Sequence, residues 1–197
     1  FFPALIISGL VYLSWDVMFT VHGYWGFNPR YLIGVYFLGL PLEEWLFFIC
    51  IPFASVFTHF TLTSIYPNFK LSNEITRYVS WFLVGLLAIV PSLNLDKAYT
   101  SVNGYLALAI LLLVMYKAPD ILRSFYLTFL VVLIPFFLVN GTLTGSFIEE
   151  EVVWYNNAEN LGIRLFTIPV EDTFYAFGML LLAIFLTGVF SKKKTKN

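Results

Sequence analysis

Five carboxylates stand out in this chain because they lie inside stretches that are otherwise apolar: Asp16, Glu43, Glu44, Glu171 and Asp172. No Lys or Arg sits mid-stretch to pair with them. An acidic side chain at the centre of a bilayer costs about 2.5–3.5 kcal/mol even on a mild insertion scale. Residues held at that cost are by default functional. A protonated carboxylic acid beside an ionised one, in an apolar pocket, suits general acid–base work. Glu43 and Glu44 are neighbours, so on a helix they point about 100° apart. One acid of each pair is therefore expected to reach a cavity and the other to bond a neighbouring helix. The plainer alternative is that all of them only hold helices together.

Aromatic residues crowd the acids. Trp15 precedes Asp16; Trp45, Phe47 and Phe48 follow Glu44; Phe174 and Tyr175 follow Asp172. A desolvated aromatic face stabilises a cation by about 2 kcal/mol, which would suit a carbocation intermediate. Most of the remaining phenylalanines are expected only to pack or face lipid. Trp25 and Trp154 read as interfacial belt residues.

The elements that must position these acids are membrane spans. Of 197 residues 59% are hydrophobic and only 12% charged, about half the charged share of a soluble domain. The mean hydropathy is +0.82. A water-soluble core cannot hide that much apolar surface, but a bilayer can. The reading is an all-α integral membrane protein, a polytopic bundle of six spans. These run over about 2–20, 31–63, 78–95, 101–116, 122–141 and 164–190. The second is too long for one simple crossing, and Pro41 and Pro52 are expected to kink it. Pro41 and Pro169 would then set the acids at kinks lining a cavity.

Charge sets the orientation. One side of a six-span arrangement holds Lys70, Arg77, Lys117, Arg123, Lys192, Lys193, Lys194 and Lys196; the other holds Arg30, Lys97 and Arg164. Basic loops stay inside, so the C-terminus is expected in the cytoplasm and the protein in the cell membrane. No secretory signal pattern is present. Cys50 is the sole cysteine, so no disulfide forms within the chain.

An internal repeat organises the spans. Residues 41–44 read P-L-E-E and residues 169–172 read P-V-E-D, an offset of 128 (169 − 41). At that offset Asn28 meets Asn156, Gly34 meets Gly162, and Phe27 meets Tyr155. Asp16 falls opposite the polar patch Asn140–Thr144. Four crossings separate the matched elements, which makes two parallel tandem units. The division is 1–97 for unit one with a linking helix and 98–197 for unit two, in one integrated membrane domain. Because the chain opens at Phe1 inside an apolar run, a further helix of unit one is expected before it, seven spans in all.

Several chemistries lack their residues. His22 and His59 form no iron-binding cluster, no G-x-G-x-x-G follows a strand, and no lysine lies mid-span for a retinal Schiff base. No metal is expected.

The quoted stretches are similar to a known family. W-D at 15–16, G-Y-W-G-F-N-P at 23–29, Y-L-I-G-V at 31–35 and L-P-L-E-E-W-L-F-F at 40–48 resemble the membrane-bound, non-flavin lycopene cyclase domain. G-I-R-L-F-T-I-P-V-E-D-T-F-Y at 162–175 resembles its second copy. The resemblance implies a redox-neutral cyclisation of lycopene ψ end groups to β-ionone rings, giving β- or γ-carotene. It implies catalytic roles for Glu43, Glu44, Glu171, Asp172 and Asp16. Trp15, Asn28, Trp45, Phe47, Phe48, Asn156, Phe174 and Tyr175 are the expected substrate contacts. No cofactor is called for. The expected partners are lycopene or a related linear carotenoid and membrane lipid, with no nucleic acid. Assembly as a homo-oligomer or with other carotenoid enzymes stays open. The alternatives are a carotenoid 1,2-hydratase-like enzyme, in which water captures the cation, a proton-coupled transporter, and a structural membrane protein.

Overall fold

Among the described residues, six apolar helices carry the chain, each long enough to cross a membrane: α1 (Phe2–Val21), α2 (Leu42–Ile65), α3 (Asn73–Ser92), α4 (Ala98–Lys117), α5 (Pro119–Leu143) and α6 (Val170–Lys194). Their 20 to 25 residues give about 30 Å or more at 1.5 Å per residue, the thickness of the hydrocarbon core. This computed structural model describes residues 1–194, and Lys196 of the basic tail lies outside them. The helices are those the hydropathy pattern predicts, with one correction.

The second and sixth helices start later than expected. Residues 29–41 do not extend α2 as a kinked helix. They form a short 3₁₀ turn (Pro29–Tyr31) and then a hairpin of β2 (Tyr36–Phe37) with β3 (Leu40–Pro41). Likewise β5 (Arg164–Leu165) pairs with β6 (Ile168–Pro169) just before α6. The cause is local. Gly34 and Gly39 both adopt left-handed φ, +87° and +83°, which a helix cannot use, and Pro41 sits at the N-cap of α2. Leu38 at φ 50° and Phe166 at φ 59° turn the two hairpins, a conformation costly for bulky side chains. Pro41 and Pro169 therefore stand before helices rather than bend them, while Pro52 lies inside α2. Both acidic pairs fall in the first helical turn, where the positive end of the helix dipole favours negative charge.

A third strand pair closes the same end of the bundle. β1 (Trp25–Phe27) runs antiparallel to β4 (Val153–Tyr155), with Trp25 opposite Tyr155, Gly26 opposite Trp154 and Phe27 opposite Val153.

Helix α6 is the centre of the bundle. It packs on α1 and α4 most extensively and also on α2 and α5. Its Leu181 and Ala183 are fully buried, with Tyr12 of α1 and Leu111 of α4. Gly178 makes the three-helix junction close. A Cβ there would run into the Tyr12 hydroxyl and sit 3.5 Å from the Ala107 Cα. Small residues are how membrane helices approach closely. Gly178→Ala is expected to destabilise the fold by about 1–3 kcal/mol. Thermal unfolding in detergent measures this, and an unchanged midpoint would mean the junction has slack.

Candidate functional site

The cavity at the hairpin end gathers three of the five predicted carboxylates. Asp16 from α1, Glu44 from α2 and Asp172 from α6 all line it. Its volume is about 90 Å³. The remaining walls are mostly aromatic and aliphatic: Trp25, Phe27, Phe47, Phe48, Tyr99 and Tyr175 give this space its ring-lined character. Among the described residues no Lys or Arg lines it. A nearby cation, Arg164, lies outside the lining but acts electrostatically on Asp172. It lies 5.6 Å over the Tyr155 ring and donates to Thr167 O and Asn157 Oδ1.

The three acids differ sharply in their hydrogen bonds. Asp172 is 5% exposed and accepts from two phenols, Tyr99 Oη at 2.5 Å and Tyr155 Oη at 2.9 Å. Burial, and then the neighbouring Asp172, hold the Tyr155 phenol well above its usual range, so it keeps the proton it donates. Asp16 is 2% exposed and accepts from the Trp25 indole N–H at 2.8 Å, while its Oδ2 has no partner among the described residues. Glu44 accepts no hydrogen bond among the described residues, although it senses both Asp16 and Asp172 electrostatically. Three carboxyl groups with two, one and no donors are chemically unequal.

The other two acids face away from the cavity and brace the loops before their helices. Glu43 Oε1 accepts from the Ile33 N–H at 2.6 Å. Glu171 Oε1 accepts from the Leu161 N–H at 2.8 Å and from Thr100 Oγ1 of α4 at 2.6 Å. Asn103 of α4 adds a bond to the Glu171 carbonyl. Each pair thus has one cavity-lining and one bonding acid, but only Glu171 bonds a neighbouring helix as expected; Glu43 bonds the segment before its own helix.

Of the aromatic and amide residues singled out in the sequence, Phe47, Phe48 and Tyr175 line the cavity. Trp15 stands one layer back, its ring stacked on Tyr175 at 5.2 Å. Trp45 points to the β2–β3 hairpin, donating to Phe37 O. Phe174 packs against the core. Asn28 and Asn156 are engaged in local turns, each accepting from the N–H two residues on, Arg30 and Ala158. None of these last four lines the cavity.

Three residues that do line it carry no mark of a site in the sequence. Trp25 reads as a belt tryptophan until Asp16 is seen beneath its N–H. Tyr155 registers only as the repeat partner of Phe27. Tyr99 opens α4 and looks like a helix-end tyrosine. One signal is available: Tyr99 starts the polar run Y-T-S-V-N at 99–103 inside an apolar span.

A family model described as lycopene cyclase matches residues 1–62 and 96–190. The stretch between them holds α3 and its flanking loops. No curated protein and no solved structure matches the chain.

Proposed function

Because this chain belongs to the lycopene cyclase family, we propose that it cyclises the ψ end groups of lycopene to β-ionone rings by acid–base catalysis in the bilayer. The carrying observation is the convergence of Asp16, Glu44 and Asp172 on one aromatic-walled cavity that no described Lys or Arg lines. The family implies a linear carotenoid substrate, and such a hydrocarbon dissolves in the bilayer that six apolar helices can span.

The unequal hydrogen bonding supports distinct roles. Glu44, with no donor to hold an anion, is the proton donor. It protonates C2 of the terminal double bond and leaves a cation at C1. The C5=C6 π pair attacks C1, so the C1–C6 bond forms and the charge moves to C5. Asp172, with two phenols donating to it, is the base. It takes the C6 proton, and the released pair becomes the ring double bond. One proton enters and one leaves, so the product is an isomer and no redox partner is needed. Asp16 supplies a second negative centre. Tyr175, Trp25, Phe47 and Phe48 offer faces to the moving cation. Glu43 and Glu171 set the helix starts that aim Glu44 and Asp172, and the isomerase reaction class follows from this sequence of steps.

The two-copy organisation gains support from the backbone. Leu42 N–H bonds Val35 O and Val170 N–H bonds Ile163 O, equivalent pairs at the 128-residue offset. Glu43 with Ile33 and Glu171 with Leu161 are equivalent in the same way. The β1–β4 register maps onto itself under that shift, as a pseudo-two-fold through Gly26 and Trp154 requires. The shift also explains the asymmetry. Tyr155 corresponds to Phe27, so the donor that holds Asp172 has no hydroxyl counterpart for Glu44. The basic tail argues that the acids sit near the non-cytoplasmic face.

Tyr155 is a positioning residue in this scheme. Tyr155→Phe removes one bond to Asp172. A hydrogen bond to a charged group is worth about 1.5–3 kcal/mol, so kcat is expected to fall about tenfold to a hundredfold with KM little changed. A rise in KM at constant kcat would instead make it a substrate contact.

The test of the function is pigment analysis in lycopene-producing bacterial cells expressing this chain. Cyclic carotene is expected. A hydroxylated acyclic product would favour the hydratase reading, and unchanged lycopene beside well-folded protein would remove the cyclase.

A further inference from the structure

A second cavity, larger and almost wholly apolar, adjoins the acid chamber. Its volume is about 290 Å³. It lies between α2, α5 and α6, and six side chains line both spaces: Phe47, Ile51, Phe136, Asn140, Ala176 and Met179. The acid chamber is thus one part of a longer compartment. Along α2 the apolar part runs from Phe47 to Thr58, about 16 Å at 1.5 Å per residue. One residue beyond Thr58, buried His59 meets Thr128 of α5 at 2.9 Å and ties the two helices together there.

The outer wall is open toward lipid. Ala54 of α2 is exposed, and Val131 and Val139 of α5 are 38% and 41% exposed, while all three line the cavity. These residues would face acyl chains, so the compartment communicates sideways with the bilayer interior between α2 and α5. The mechanism uses none of this space. A ψ end group fills the acid chamber, and the rest of a long hydrocarbon must go somewhere.

We propose that the α2–α5–α6 compartment is the binding site for the polyene stem of a linear carotenoid. The substrate enters laterally from the bilayer through the α2–α5 opening. The occupant is fixed by continuity: whatever lies here is joined to a group sitting among three carboxylates. The lining is apolar throughout apart from Asn140 and the hydroxyls of Ser55 and Thr58, and the Thr58 hydroxyl is satisfied by Ala54 O. A charged or strongly polar ligand would find almost no partner.

The inference rests on the cyclase reading, and its test separates the two. Lycopene is achiral, so a circular-dichroism signal in its visible band reports binding in an asymmetric site, independent of turnover. Glu44→Gln protein in detergent, which stops the reaction, is titrated with lycopene. An induced signal is expected, and adding Ser55→Phe in the compartment should weaken binding at least tenfold. Ala54→Phe at the exposed mouth repeats the test without disturbing buried packing, and should slow association more than it weakens affinity. Unaltered binding in both variants would overturn the stem site while leaving the cyclase intact. No induced signal, together with unchanged lycopene in cells, would overturn both.

Discussion

Glu44→Gln is expected to leave a folded protein that forms no cyclic carotene. Glu44 accepts no hydrogen bond among the described residues, so the amide breaks no internal contact. In the proposed cyclisation, what it removes is the transferable proton. Positioned acids contribute about 10²–10⁴-fold to rate, and loss on that order is the expected reading. Heavy water sharpens the result. In deuterated medium the wild-type product gains one deuterium per ring, at C2. Lycopene recovered from Glu44→Gln protein should carry none. Deuterated lycopene from this variant would mean another acid, Asp16 foremost, delivers the proton.

Asp172→Asn should fail at the other end of the reaction. Loss is again on the order of 10²–10⁴-fold, but protonation by Glu44 survives. With no base to take the C6 proton, the cation reverts, and recovered lycopene should slowly gain solvent deuterium. That contrast with Glu44→Gln assigns donor and base. The amide oxygen introduced by Asp172→Asn still accepts from one of the two phenols, and the amide NH2 can donate to the oxygen of the other, so the side chain keeps both neighbours. If neither variant exchanges deuterium, both acids act before the first proton transfer and the division of roles is wrong.

The six helices were legible because a bilayer imposes one strong rule. About twenty consecutive apolar residues are needed to cross, and the backbone must satisfy itself. The hairpins were not, because Leu32 to Pro41 is as apolar as the helix that follows. Hydropathy cannot tell a short apolar strand at the rim from one more helical turn. Only Gly34, Gly39 and Pro41 signal the difference, through backbone angles. The cavity acids were legible because a carboxylate in an apolar run is anomalous by itself. Their donors were hidden, since Trp25, Tyr99 and Tyr155 are ordinary residues for a membrane interface. What sets them apart is the acid each one faces, and that is a matter of tertiary structure. The same holds for Asn28 and Asn156: their matching positions are plain in the sequence, while their use in local turns is visible only in the fold.

The pairing of β1 with β4 bears on how the molecule is made. Trp25 precedes the second helix and Tyr155 precedes the last, so the ladder cannot close until five helices have been synthesised. Until then Trp25 lacks its strand partner, and Asp16 and Glu44 lack the α6 wall that completes their enclosure. The first helix pair, α1 and α2, therefore presents carboxylates to lipid for the time the ribosome takes to deliver the remainder. Contacts between distant parts of a chain form slowly, and this one is both distant and last. Biogenesis thus has a vulnerable interval that ends only when α6 inserts. Chains stalled before residue 153 should be marked targets for membrane quality control, whatever the stability of the finished enzyme.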